Sequence, residues 1–143
     1  MSVHLQESAL DPWEWVQRHQ AEHTAIQGKF GATSVFVGTM RDFNQGQQVE
    51  AMTLEHYPAM TQKQLETICD EARQQWGVLE LLVVHRYGAI KPNDPIVLVA
   101  VWSGHREQAF KACRYVIDAL KTRAPFWKQE QTSDGRHWVE QEG

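Results

Sequence analysis

Cysteine is scarce: Cys69 and Cys113 are the only two, far apart and without a CxxC pairing. That argues against a disulfide framework and against a cysteine zinc site, and fits a reducing cytosol. Positive charge is not in excess either. A formal net charge of −4 removes any general attraction to nucleic acid or to an anionic membrane, so neither is expected as a partner. No apolar run approaches the ~18 residues of a membrane span. The opening "MSVHLQESALDPW" lacks a cationic start followed by an apolar core, so the expectation is a soluble, cytoplasmic protein. GxSxG, HExxH, P-loop and GxGxxG are all missing, which leaves serine hydrolysis, zinc chemistry and nucleotide binding without support. His4, His19, His23, His56, His85 and His137 are read as lacking metal-ligand spacing. No metal and no cofactor are expected.

What is present suits one domain spanning residues 1–143, long enough to bury about two-thirds of its unfolded surface. Six tryptophans suggest aromatic anchoring of loops or interfaces. Asp11, Pro12 and Glu14 form a capping arrangement that starts a helix ending before Gly28. Phe30 to Thr39 reads as a strand, and "VEAMTLEHY" alternates as a second; the two are expected to pair as a hairpin. Leu65, Ile68, Cys69, Ala72 and Trp76 recur at helical spacing up to Gly77. The runs "LELLVVHRYGAI" and "IVLVAVW" read as interior strands joined by the turn "KPNDP". A long helix follows from His105, with Ser103 available as its cap and Ala124-Pro125 as its stop. Two extended segments around a Ser-Asp-Gly turn close the chain as a C-terminal hairpin near Trp127 and Trp138. This order predicts an α+β domain on a mainly antiparallel sheet.

Cations concentrate where chemistry is conceivable. Arg41 lies just past a strand end, from which a guanidinium reaches a cleft or merely solvent. His105 and Arg106 occupy the first turn of the long helix, where adding positive charge to a positive helix end makes sense if an anion binds there; His105 could equally be neutral and bonded to backbone. Lys121, in the last turn, complements the helix dipole without needing another role. Lys128 follows Pro125-Phe126-Trp127. If those aromatics wall a pocket, desolvation and neighbouring charge would lower its pKa and make it a proton acceptor or nucleophile. Arg86 either joins this cluster or satisfies a carboxylate. Both cysteines fall on apolar helix faces, and neither looks reactive.

The strings "FVGTMRDF", "LEHYPAM", "HRYG", "VAVWSGHREQAF" and "LKTRAPFWKQE", with "DGRHWVE" downstream, together resemble the catalytic (large) subunit family of molybdopterin synthase. The resemblance spans about Phe30 to Glu140, while residues 1–29 carry little of it. It implies an α/β hammerhead-type domain and a sulfurtransferase of molybdenum cofactor biosynthesis. The implied substrate is cyclic pyranopterin monophosphate, precursor Z, which receives two dithiolene sulfurs. These arrive on the C-terminal Gly-Gly thiocarboxylate of a small ubiquitin-like sulfur-carrier subunit, within a heterotetramer built on a large-subunit homodimer. Carried over by position, the essential lysines are Lys121 and Lys128, and the anion-binding residues are Arg41, His105 and Arg106. Further substrate contacts map to Thr39, Met40, Gln129 and Glu130. Two departures stand out: many members carry a charged tail beyond Gly143, and Thr39 stands where a lysine is common. Residue chemistry alone leaves two rivals, a non-catalytic module gripping a Gly-Gly tail and a Schiff-base enzyme using Lys128.

Overall fold

The structure, a computed structural model, describes residues 2–44, 46–132 and 135–139. Its first half runs β1 (Ser2–Gln6), α1 (Pro12–Glu22), β2 (Ala32–Thr39), β3 (Phe43–Asn44), β4 (Gln47–His56) and α2 (Pro58–Trp76). The second half runs β5 (Glu80–Arg86), β6 (Gly88–Ile90), β7 (Pro95–Ser103), α3 (Arg106–Arg123), β8 (Phe126–Thr132) and β9 (Gly135–Val139).

The two long apolar runs are central strands because both of their faces are covered. β5 and β7 pair antiparallel from Glu80↔Trp102 to His85↔Val97 inside a sheet of order β1-β5-β7-β2. Leu82, Val84, Leu98, Ala100 and Trp102 pack with Trp15 and Val16 of α1. The alternate residues Leu81, Val83, Val97, Val99 and Val101 join Leu65, Ile68, Ala112 and Val116 of α2 and α3. Period-two alternation thus divides one apolar run between two cores.

A second sheet is ordered β3-β4-β8-β9, with β6 also paired to β4, along Met52–Leu54 and beyond the short stretch that β3 occupies. The α+β class, mainly antiparallel pairing and a C-terminal hairpin are all present; β1 beside β5 is the parallel exception. Of the expected Ser-Asp-Gly turn, Ser133 and Asp134 lie outside the described residues.

Three local expectations are corrected. β2 does not pair with β4: it pairs with β7, because the intervening β3 folds back on β4 and the two longer strands enter different sheets. The run "LELLVVHRYGAI" is not one strand. Gly88, at φ +87°, takes a backbone that other residues resist and redirects the chain from β5 into β6, which pairs with β4. Ser103 does not cap α3, since it is buried within β7 with its carbonyl accepting the Gly31 N–H at 2.9 Å. His105 holds the cap position without a side-chain bond. The other helix signals hold: Asp11 accepts the Glu14 amide at 3.2 Å, and Gly77 ends α2 in the left-handed region. β1 was not foreseen.

Candidate active site

The C-terminal end of α3, the ends of β2 and β5, and the inner face of the second sheet enclose a cavity of about 200 Å³. Lys121 and Lys128 both line it, with Thr39, Met40 and Arg41 on one side and Glu130 on the other. Apolar walls come from Phe36, Met52, Leu54, Ile96 and Leu120.

Strand alternation selects which side chains reach the cavity. Along β8, Phe126, Glu130 and Thr132 are buried, and Lys128 shares their face. Gln129 projects from the opposite face. It lines another depression, of about 120 Å³, with Thr53, Gln131 and Arg136, which Met52 and Glu130 also border. Trp127 also lies on that outer face, where its indole donates to Glu55 at 3.2 Å and its ring meets Tyr57 at 4.8 Å. Trp127 therefore is not a wall of the cavity. Phe126 contributes indirectly, stacking on the cavity residue His85 at 3.9 Å.

Helix length separates the remaining cations. Arg106 opens α3 and Lys121 lies in its last turn, so the two are roughly 22 Å apart along the axis at about 1.5 Å per residue. His105 and Arg106 are exposed and border a different depression with Gly31, Gly104, Glu107 and Gln108. Within one chain they do not meet the lysines. Arg123 is also engaged elsewhere: its guanidinium binds both oxygens of Glu71, which accepts the Tyr115 hydroxyl as well. Hydrogen bonds from Arg123 and Tyr115 hold the Glu71 carboxyl down at about 2. That cluster ties the last turn of α3, and Lys121 with it, to α2. Arg86 takes the structural alternative, bonding Asp94 at 3.2 Å and the carbonyls of Glu7 and Ala89.

Sequence reasoning passed over His85, which ends the apolar part of β5 and is 5 % exposed. It lines the same cavity as the lysines. Its Nδ1–H donates to the Arg86 carbonyl at 2.8 Å, so in the neutral ring Nε2 is the acceptor. Burial pushes its pKa down to about 4, and neighbouring Lys128 and His56 push the same way against the bond to Arg86. The signal was its odd position in β5, the register of Leu81 and Val83. Neither cysteine is available as a nucleophile: burial raises the Cys69 thiol to about 12 and also raises Cys113.

The cavity thus gathers the side chains of Lys121 and Lys128 with Arg41, the buried His85 ring and the Glu130 carboxylate in a lining that is part apolar. Such an arrangement holds an anion and stabilises charge that develops in a reaction.

The profile of the family described as "MoaE protein" covers residues 5–123, taking in the end of β1 and all of α1 and stopping short of Lys128. The chain is 48% identical over 140 residues to the molybdopterin synthase catalytic subunit of Pseudomonas aeruginosa, covering 98% of this chain and 91% of the relative. Among solved structures, the molybdopterin biosynthesis MoaE protein from Burkholderia ambifaria superposes with a TM-score of 0.80 at 43% identity, covering 99% of this chain and 90% of the other. Molybdopterin synthase from Staphylococcus aureus superposes with a TM-score of 0.84 at 32% identity, covering 95% of each.

Proposed function

The chain belongs to the MoaE family, and from that premise we propose that Lys121 and Lys128 form the reaction chamber of a molybdopterin synthase catalytic subunit. It is an enzyme of molybdenum cofactor biosynthesis, of the sulfurtransferase class. Precursor Z, the cyclic pyranopterin monophosphate, is its substrate. The sulfur donor is the C-terminal Gly-Gly thiocarboxylate of a small ubiquitin-like carrier subunit. No helix among the described residues is long and apolar enough to cross a membrane, in keeping with work in the cytoplasm.

The observation that carries this reading is the single cavity shared by both lysines. Its volume, about 200 Å³, lies below the roughly 300 Å³ at which small-molecule pockets begin. That suits the narrow end of a Gly-Gly tail meeting the reacting edge of a pterin, with the rest of both reactants outside. The lysines hold the thiocarboxylate and pass protons as its sulfur bonds a side-chain carbon of the pterin and the carbon–oxygen bond it replaces breaks, the departing oxygen taking a proton; one water then cleaves the resulting thioester and frees the carrier as a carboxylate. Phe36, Met52 and Leu54 limit bulk water, which would hydrolyse the thiocarboxylate before its sulfur is transferred. Arg41, Thr39, Met40 and Glu130 position the substrate from the cavity lining, whereas Gln129 faces away and contributes only from outside.

Arg106 and His105 enter through symmetry. A phosphate held by them is too far from Lys121 of the same chain, so a second copy supplies that end of α3 in a large-subunit homodimer, with a carrier subunit at each chamber.

The test is dithiolene formation from precursor Z by Lys121→Ala and Lys128→Ala protein with pre-thiocarboxylated carrier. Each substitution is expected to lower turnover by about a hundredfold or more while carrier affinity, measured separately, changes far less. Near-normal turnover in both would overturn the assignment, and a loss matched by equal loss of carrier binding would reduce the chamber to a grip.

A further inference from the structure

On the far face of the first sheet, away from the chamber, α1 and β5 bring together His19, His23 and Glu80. One donor atom from each lies within 4.8 Å of the others. His19 lies in the last turn of α1 and His23 caps its end, four residues on, so that the two rings meet on one side although no metal-ligand spacing is read from the sequence. Glu80 shares the register of Leu82 and Val84, the residues that face α1.

The details point to a ligand. His19 is 5 % exposed, and its buried Nε2 has no hydrogen-bond partner. Glu80 Oε1 is 3.5 Å away, too long for a good hydrogen bond. The His23 Nδ1 is committed to the His19 carbonyl at 2.7 Å, which fixes the ring and leaves Nε2 as the lone-pair nitrogen. Metal-binding histidines commonly have their other nitrogen anchored in this way. The two rings stack at 3.8 Å, and Trp102 backs His19 at 5.1 Å while its indole donates to Gln20 at 3.0 Å. His19 is thereby held in place, and His23, half-buried, provides the solvent-facing side.

We propose that His19, His23 and Glu80 bind a divalent transition metal of the zinc class, clamping the end of α1 to the start of β5. Two imidazoles and a carboxylate form a borderline donor set, with the fourth position left for water on the His23 side. Donors about 2.0–2.2 Å from a tetrahedral zinc stand roughly 3.4 Å apart; His19 and Glu80 are already at 3.5 Å, and His23 closes its share of the gap by a tilt of the ring that keeps the Nδ1 bond to the His19 carbonyl. The ion satisfies the orphaned nitrogen and ties a helix to the sheet. Because the cluster and the chamber occupy opposite faces of the sheet, this role is one of stability and does not depend on the functional assignment above.

The experiment uses the full chain, stripped with a chelator, dialysed and titrated with Zn²⁺ alone. One ion is expected per chain, with a Kd of about 10 µM or tighter. At a hundredfold excess over Kd, the thermal midpoint should rise by at least about 4 °C. Co²⁺ in place of zinc should give the visible bands of a four-coordinate ion. His23→Ala alters only the outer ligand, so it should fold with an unchanged far-ultraviolet spectrum, bind Zn²⁺ at least about tenfold more weakly and lose those bands. Glu80→Gln, nearly isosteric, should behave alike; if it fails to fold, His23→Ala decides. No binding by the unaltered chain at 100 µM Zn²⁺, about ten times the expected Kd, overturns the proposal, as does equal affinity in His23→Ala protein.

Discussion

His85 is a titratable ring with almost no water around it. Its folded pKa, about 4, lies below the ordinary histidine value of 6.5, so the unfolded chain binds the proton more readily. Stability from this residue is complete above pH 6.5 and is lost as the pH falls towards 4, by up to roughly 3 kcal/mol. Burial also lowers the pKa of His4 and His56, whose smaller contributions have the same sign. We therefore expect His85→Gln protein to show a flatter loss of stability between pH 6.5 and 4 in urea unfolding, whatever its stability at pH 7. An unchanged slope would mean that the ring is not held neutral by burial. The same residue marks a limit of sequence reading. "LELLVVHR" announces a buried strand, but only the second sheet closing over its end turns a core histidine into a chamber residue. Lys128 and Glu130 against Gln129 are the opposite case. Strand alternation at positions 128, 129 and 130 already contained their division between two faces, and treating the three as one block obscured it.

Elements rather than single residues decide how the loop before α3 is held. Gly31 precedes β2, and a Cβ placed on it would stand 2.5 Å from the Gly104 carbonyl oxygen. Neither backbone retreats easily, because the Gly31 amide is bonded to the Ser103 carbonyl at 2.9 Å. Gly31→Ala is expected to cost about 1–3 kcal/mol, as overpacking does, whereas Gly104→Ala meets nothing within 4 Å and should stay within about 0.5 kcal/mol. Urea unfolding of the two variants checks the contrast, and equal costs would refute this account of the junction. Most helix boundaries were legible, since Asp11, Gly77 and Pro125 act locally; the cap of α3 is the exception, His105 standing where Ser103 was expected. Strand partners were less so. Neighbouring strands usually pair, yet β2 and β4 diverge because two separate apolar surfaces each needed a sheet, and β1 pairs with β5 across most of the intervening chain.

At the scale of the whole molecule, the dimension that matters is the length of α3. Both ends of the helix were visible in the sequence, and 15 residues at about 1.5 Å each already placed Arg106 beyond the reach of Lys121. Grouping the cations by chemistry concealed what simple helix geometry gives. If two copies complete one another, with Lys121 from one chain and Arg106 from its partner at each chamber, then two inactive variants should rescue each other. In a mixed dimer of Lys121→Ala and Arg106→Ala chains, one chamber carries both defects and the other carries neither. Half the dimers in a random mixture are mixed, so recovered turnover should approach about a quarter of the unaltered level by two-fold symmetry. The measurement is dithiolene formation after co-refolding equal amounts of the two variants with thiocarboxylated carrier. Activity no higher than the average of the separate variants would place Arg106 outside the partner's chamber and leave the anion-binding role to Arg41 and the two lysines.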